Sequence, residues 1–263
     1  CSGPPNWPGS QLSHPLVARS RLTQEASTQF RYGLARRAGN DLEGAAYYLA
    51  AARRLDPAYA PAAKELASLH LAQSRWTNAQ SELQAYLQLE PRDAVAHQEM
   101  ARLQARLDQP EKARRHFEKA LQLSPDDSLA HFQFAAFLAP RDPATAISRY
   151  RTGLHLQPDN RFAANDLAWL LATHPRKEIR NPAEALKIAL RLDRESGGTV
   201  PNLLDTLAAA QAAAGDFEAA AATARKALSL PQTAQNKQLA EGLNSRLTHY
   251  LEGKPYRETE PAQ

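Results

Sequence analysis

The stretch YLQLEPRDA, residues 86–94, decides the fold because it recurs. The same form returns as ARRLDPAYA at 52–60, ALQLSPDDS at 120–128 and GLHLQPDNR at 153–161. Their prolines, Pro57, Pro91, Pro125 and Pro158, stand 34, 34 and 33 residues apart. A fixed period of this length marks a repeat array, in which each unit is one supersecondary element that buries its apolar face on its neighbours. Proline lacks an amide hydrogen, so each of these sites ends a helix and turns the chain toward the next unit.

Windows laid on those prolines bring out three columns. Gly33, Ala67, Ala101, Ala135, Ala168 and Ala208 are all small, and the residue before each is large and apolar: Tyr32, Leu66, Met100, Phe134, Leu167 and Leu207. The third column, Ala45, Ala79, Ala113, Ala146, Ala185 and Ala220, is alanine throughout. Antiparallel helices approach closely only where both present a small side chain, while the large neighbour fills the groove beside the contact.

On these columns the sequence resembles the tetratricopeptide repeat (TPR) family, whose units carry a large then a small residue in the first helix, alanine in the second and a closing proline. The resemblance implies an all-α TPR α-solenoid: a right-handed superhelix of about six helix-turn-helix repeats plus a C-terminal capping helix. We place the array at 16–233, with units 26–59, 60–93, 94–127, 128–160, 161–200 and 201–233. The fifth unit holds about five extra residues between its helices and a Gly197-Gly198 turn in place of proline. Its insert, THPRKEIRNP at 173–182, is expected to protrude as a basic loop, a solvated connector or a contact site. Over 234–252, Leu239, Leu243, Leu247 and Leu251 fall four apart, an apolar stripe suited to covering the last repeat. Residues 253–263 form a tail. Residues 1–15, with four prolines and two glycines, read as a flexible tether.

Composition removes several classes of function. The chain carries 32 Lys plus Arg against 28 Asp plus Glu, interspersed rather than blocked. A single cysteine permits no disulfide within these residues and no paired-thiol metal site. No apolar run reaches the roughly 18 residues of a spanning helix. The eight histidines form no HExxH, and His97 and His131 share a packing position in adjacent units. Nucleophile-elbow and phosphate-loop motifs are missing too. We therefore expect no enzyme, cofactor, metal or small-molecule substrate. Acidic residues such as Glu65 and Glu99 break any basic stripe that nucleic acid would need, so none is expected as a ligand.

Binding has more support. The resemblance implies that the second, fifth, ninth and twelfth positions of each first helix line a concave groove. Here these include Phe30, Leu34 and Arg37, then Lys64, Gln98 and Arg102, then Phe132, Asn165 and Trp169. Apolar anchors between basic and amide groups suit an extended peptide. The alternative use of Phe30, Phe132 and Trp169 is packing against neighbouring helices. The carboxylate clamp of chaperone-adaptor TPR domains is not matched: Lys64 fits, but Ser68, Glu99, Leu129 and Gln133 stand where other residues are needed.

CSGPPNWPGS at 1–10 resembles the start of a mature bacterial lipoprotein, which implies a lipidated Cys1. Buried acyl chains contribute about 0.8 kcal/mol per methylene. We expect a non-catalytic scaffold anchored through Cys1 to a bacterial membrane, facing the periplasm at the outer membrane, that binds a protein or peptide segment. The alternatives are a soluble cytoplasmic TPR adaptor, or an accessory subunit of an envelope glycan or pilus assembly complex.

Overall fold

The computed structural model describes residues 15–259. Cys1, most of the tether and the last four residues of the tail lie outside the described residues. Among the described residues there are fourteen α-helices, one short 3-10 turn and no strand. The chain divides into two compact units that meet in sequence between Ser124 and Pro125.

The first unit holds three helix pairs: α1 (Pro15–Ala38) with α2 (Leu42–Leu55), α3 (Ala60–Ala72) with α4 (Trp76–Leu89), and α5 (Ala94–Arg106) with α6 (Pro110–Leu123). The second pairs α7 (Ser128–Leu138) with α8 (Pro143–Leu156), α9 (Arg161–Thr173) with α10 (Pro182–Ser196), and α11 (Pro201–Ala213) with α12 (Phe217–Ser229). The short α13 (Pro231–Ala234) then leads into α14 (Lys237–Leu251), which lies on α12 and α11. Within each unit successive pairs stack, α2 on α3, α4 on α5, α8 on α9 and α10 on α11.

Local chemistry sets the helix ends. α2, α4, α6 and α8 all stop at a leucine two residues before the periodic proline, because the residue preceding proline is pushed out of helical geometry. Two residues past three of those prolines, Asp93, Asp127 and Asn160 accept the backbone N–H of Ala96, Ala130 and Ala163 and so start α5, α7 and α9. Such a cap is worth about 1 kcal/mol. Inside the pairs the turn passes through a left-handed residue: Asn40, Ser74 and Asp108 at φ 60, 56 and 54°, and Gly215 at 93°. The next amide then closes back onto the helix, Arg75 N to His70 O at 2.8 Å and Asp216 N to Gln211 O at 3.0 Å.

The three columns occupy the packing positions. All six members of the alanine column, and all five alanines of the small column, are fully buried. At Gly33, a Cβ would come within 2.7 Å of Leu49 Cγ, so glycine permits that contact. Leu66, Met100, Phe134, Leu167 and Leu207 are buried beside them, whereas Tyr32 is 54% exposed. No described helix precedes α1 to cover it, and its ring instead meets Tyr48 at 5.6 Å.

Two expectations are corrected. The insert of the fifth unit does not stand out as a free loop. His174 is buried, and the Arg180 guanidinium donates to the carbonyls of His174 and Pro175 at 2.8 and 2.6 Å. Arg176, Lys177 and Glu178, around the 3-10 turn Lys177–Ile179, and Asn181 are its exposed residues. The leucine stripe of α14 fails at its end. A step of four residues overshoots one helical turn by about 40°, so Leu243 is fully buried while Leu251 is 60% exposed. Tyr250, seven residues after Leu243, takes the inner position.

Candidate functional site

In the first unit two basic residues of the first helices, Arg37 and Lys64, are already paired. Arg37, near the end of α1, bonds Glu65 on α3, and its second amino group reaches Ser68 Oγ at 3.2 Å. Lys64 donates to Asp93 Oδ2 at 2.7 Å, where the Tyr86 hydroxyl also donates at 2.7 Å. Burial alone pushes the Asp93 carboxyl up. Hydrogen bonds from Lys64, Tyr86 and the Ala96 amide overcome it and hold the group at about 2. Phe30 meets Tyr59 edge-on at 5.5 Å and packs into the core beside Leu49, and Gln98 is buried. Leu34 and Arg102 are the exposed members of the set in this unit.

His97, His116 and His131 are structural. His97 and His131 each place Nε2 near the carbonyl oxygen of the turn proline six residues back, Pro91 at 3.2 Å and Pro125 at 2.9 Å. A carbonyl only accepts, so Nε2 carries the proton in both. His97 Nδ1 is then the acceptor for His116 Nδ1–H at 2.8 Å. Among the described residues no group of three His, Cys, Asp or Glu side chains is placed to hold a metal ion.

In the second unit Phe132 is buried, its ring edge filling space that Gly153 on α8 leaves open; a Cβ there would meet it at 2.4 Å. Its role is packing. Asn165 is half-buried, and its side-chain oxygen has no hydrogen-bond partner. Trp169, one turn further along α9, is covered by the chain's own C-terminal segment. Its Nε1–H donates to Glu258 Oε1 at 2.7 Å, and its ring lies 6.0 Å from that of Tyr256.

The carbonyls at the end of α9 hold the segment there. A helix leaves its last four carbonyls without intrahelical partners. Leu170 O receives the His174 amide at 3.3 Å, and Leu171 O the Asn181 amide at 3.0 Å. Ala172 O receives the Arg257 guanidinium at 2.8 Å and Thr173 O the Glu258 amide at 2.9 Å. A cation at a helix C-terminus is also favoured by the helix dipole. Behind the segment, Arg246 on α14 grips Asp205 on α11 at 2.7 and 2.5 Å and faces both Trp169 and Tyr256. Burial pushes the Asp205 carboxyl up, with Arg246 pulling the other way.

Asp205, Arg246, Tyr256, Arg257 and Glu258 were not singled out from the sequence. Asp205 could have been, since it holds the fifth position of its helix, the column of Lys64, Gln98, Phe132 and Asn165. The tail has no periodicity to read.

Stacked antiparallel helix pairs with a small-residue seam define an α-solenoid. Residues 94–127, which contain α5, α6 and their turns, match the family described as Tetratricopeptide repeat. These residues form a tetratricopeptide repeat, and the fold of the described residues is that of a TPR α-solenoid. No curated protein matches it. Among solved structures it is similar to pilF of Pseudomonas aeruginosa, at 20% identity over 86% of this chain and 98% of that one, TM-score 0.64. PilW, described as a widely conserved type IV pilus biogenesis factor, matches at 18% identity over 84% and 98%, TM-score 0.62. YrrB, described as a TPR protein with an unusual peptide-binding site, matches at 20% over 67% and 91%, TM-score 0.57. At these identities the likeness is one of fold.

Proposed function

We propose that the chain is a non-catalytic protein-protein interaction scaffold whose first helices hold an extended segment of a partner protein. The observation that carries this reading is the seating of residues 254–259. A non-helical stretch of polypeptide lies on α9 through main-chain and side-chain hydrogen bonds, so this face accepts extended chain. The fold likeness to YrrB, a TPR protein with a peptide-binding site, supports it.

The partner belongs to the bacterial envelope in this reading, and Cys1 carries the lipid that anchors the scaffold on the periplasmic side of the outer membrane. No described helix is long and apolar enough to cross a membrane. The likeness to PilW, described as a type IV pilus biogenesis factor, favours a second, narrower reading, an accessory subunit of a pilus assembly complex.

Co-purification from solubilised native membranes tests the scaffold. The double variant Trp169→Ala, Arg102→Glu is expected to lose a partner that the unaltered chain retains, with helix content unchanged; equal capture by both moves the site elsewhere. Metabolic acyl labelling tests the anchor, and an unmodified Cys1 in native membranes removes it.

A further inference from the structure

The face of α9 carries its own occupant, and the occupant reports what the face recognises. Pro255, Tyr256, Arg257 and Glu258 are half-buried although they belong to no helix. One of their contacts, an amide to Thr173 O, is open to any extended peptide, while a cation to Ala172 O and a carboxylate to Trp169 Nε1–H call for a basic and an acidic side chain. Helix-end carbonyls need donors whether those come from this chain or another. The fourth contact is selective as well. Arg246, fixed by Asp205, sits 5.3 Å from the Trp169 ring centroid and 5.4 Å from that of Tyr256, so the site receives an aromatic ring against a cation.

The site is also larger than its occupant. Beside the segment opens a cleft of about 530 Å³ lined by Ala136, Tyr150, Asp166, Trp169, His174 and Glu258. Tyr150 donates to Asp166 across its wall at 3.5 Å. A peptide continuing past the segment finds apolar and hydrogen-bonding surface there.

Resting on the scaffold reading above, we propose that this is a peptide-recognition site for a partner segment carrying an aromatic, a basic and an acidic residue in succession. The chain's own Tyr256-Arg257-Glu258 occupies it as a strap that the partner displaces. A tethered strap competes at a high effective concentration, so it lowers the apparent affinity for any peptide added from outside.

A fluorescein-labelled peptide KPYRET, the sequence of residues 254–259, tests this by anisotropy on the full chain. The full-length variant Tyr256→Ala, Glu258→Ala should bind it at least about tenfold more tightly than the unaltered chain. Adding Trp169→Phe, which keeps an aromatic ring but removes the N–H, should weaken that binding, and a scrambled peptide should not bind. Hydrogen exchange on the unaltered chain gives a readout independent of how the variants fold: excess KPYRET should speed exchange of the Glu258 amide. Equal affinity for both chains, or an amide still protected under excess peptide, makes the strap a fixed cap of α9 and overturns the proposal. Exchange of straps between two copies, seen as a dimer in sedimentation, overturns the assignment to a partner protein. If the peptide fails while membrane co-purification still depends on Trp169 and Arg102, only the recognition motif falls; if both fail, the scaffold reading falls with it.

Discussion

Arg246 on α14 and Asp205 on α11, 41 residues apart in sequence, meet in a two-pronged ion pair with side chains only 13% and 9% exposed. This pair fixes the capping helix to the last repeat and aims the guanidinium at the aromatic pair. Breaking a buried pair from one side strands the other charge, at about 3–5 kcal/mol. Arg246→Ala should cost that much in urea unfolding, and Asp205→Ala, Arg246→Ala should recover part of it. Burial already pushes the Asp205 carboxyl up, so without Arg246 the folded state takes up a proton more readily than the unfolded chain. The Arg246→Ala defect should therefore shrink as pH falls toward the ordinary carboxylate range.

Gly153 and Phe132 form a second tight contact. Alanine in a helix interior is ordinarily favoured over glycine by about 0.5–1 kcal/mol. Here its Cβ would stand 2.4 Å from the Phe132 ring. Gly153→Ala should thus destabilise by about 1–3 kcal/mol. The same change in a Phe132→Leu background should be neutral or stabilising, a sign reversal that thermal unfolding of the four chains would reveal.

The His97–His116 pair gives a pH dependence. Burial first, and then His97, lowers His116 to about 4 from an ordinary value of 6.5. Between these values the unfolded chain binds a proton that the folded chain does not, so stability falls as pH falls through this window. The full shift corresponds to about 3.4 kcal/mol, and because His116 is only half-buried solvent screening should reduce the loss to about 2 kcal/mol, complete below about pH 4. Subtracting the profile of His116→Gln isolates it. Asp93, held at about 2 against 3.8, acts in a separate and lower window. Its stabilisation is present above the unfolded value and lost as pH falls from about 3.8 toward 2.

Ser74 sits in the left-handed region at φ 56°, where glycine carries no steric penalty. Ser74→Gly should raise stability by up to about 1 kcal/mol, and differential scanning calorimetry should show a higher Tm.

The fold was legible because its determinants are local and repeated. A proline that stops a helix, an alanine that admits a neighbour and a large residue beside it act within one pair, so their recurrence, four times for the proline and six for the alanine, reinforces one reading. Legibility ended where contacts became singular. Lys64 and Arg37 look like free groove cations in sequence, yet each finds an acid from the next pair, Asp93 and Glu65. Phe132 looks like an anchor, but the space left by Gly153 draws it into the core. Trp169 lies under Tyr256 and Glu258, up to 89 residues further on, at a distance no 34-residue period relates.

Site-specific photo-crosslinking in native membranes tests most directly whether the first helices carry the partner. A photoreactive residue is placed in turn at Leu34 and Arg102 on first helices, and at Leu156 and Leu190 on second helices, all of them exposed. We expect a common protein adduct from Leu34 and Arg102 and none from Leu156 or Leu190. Adducts confined to Leu156 and Leu190 would contradict binding on the first-helix face.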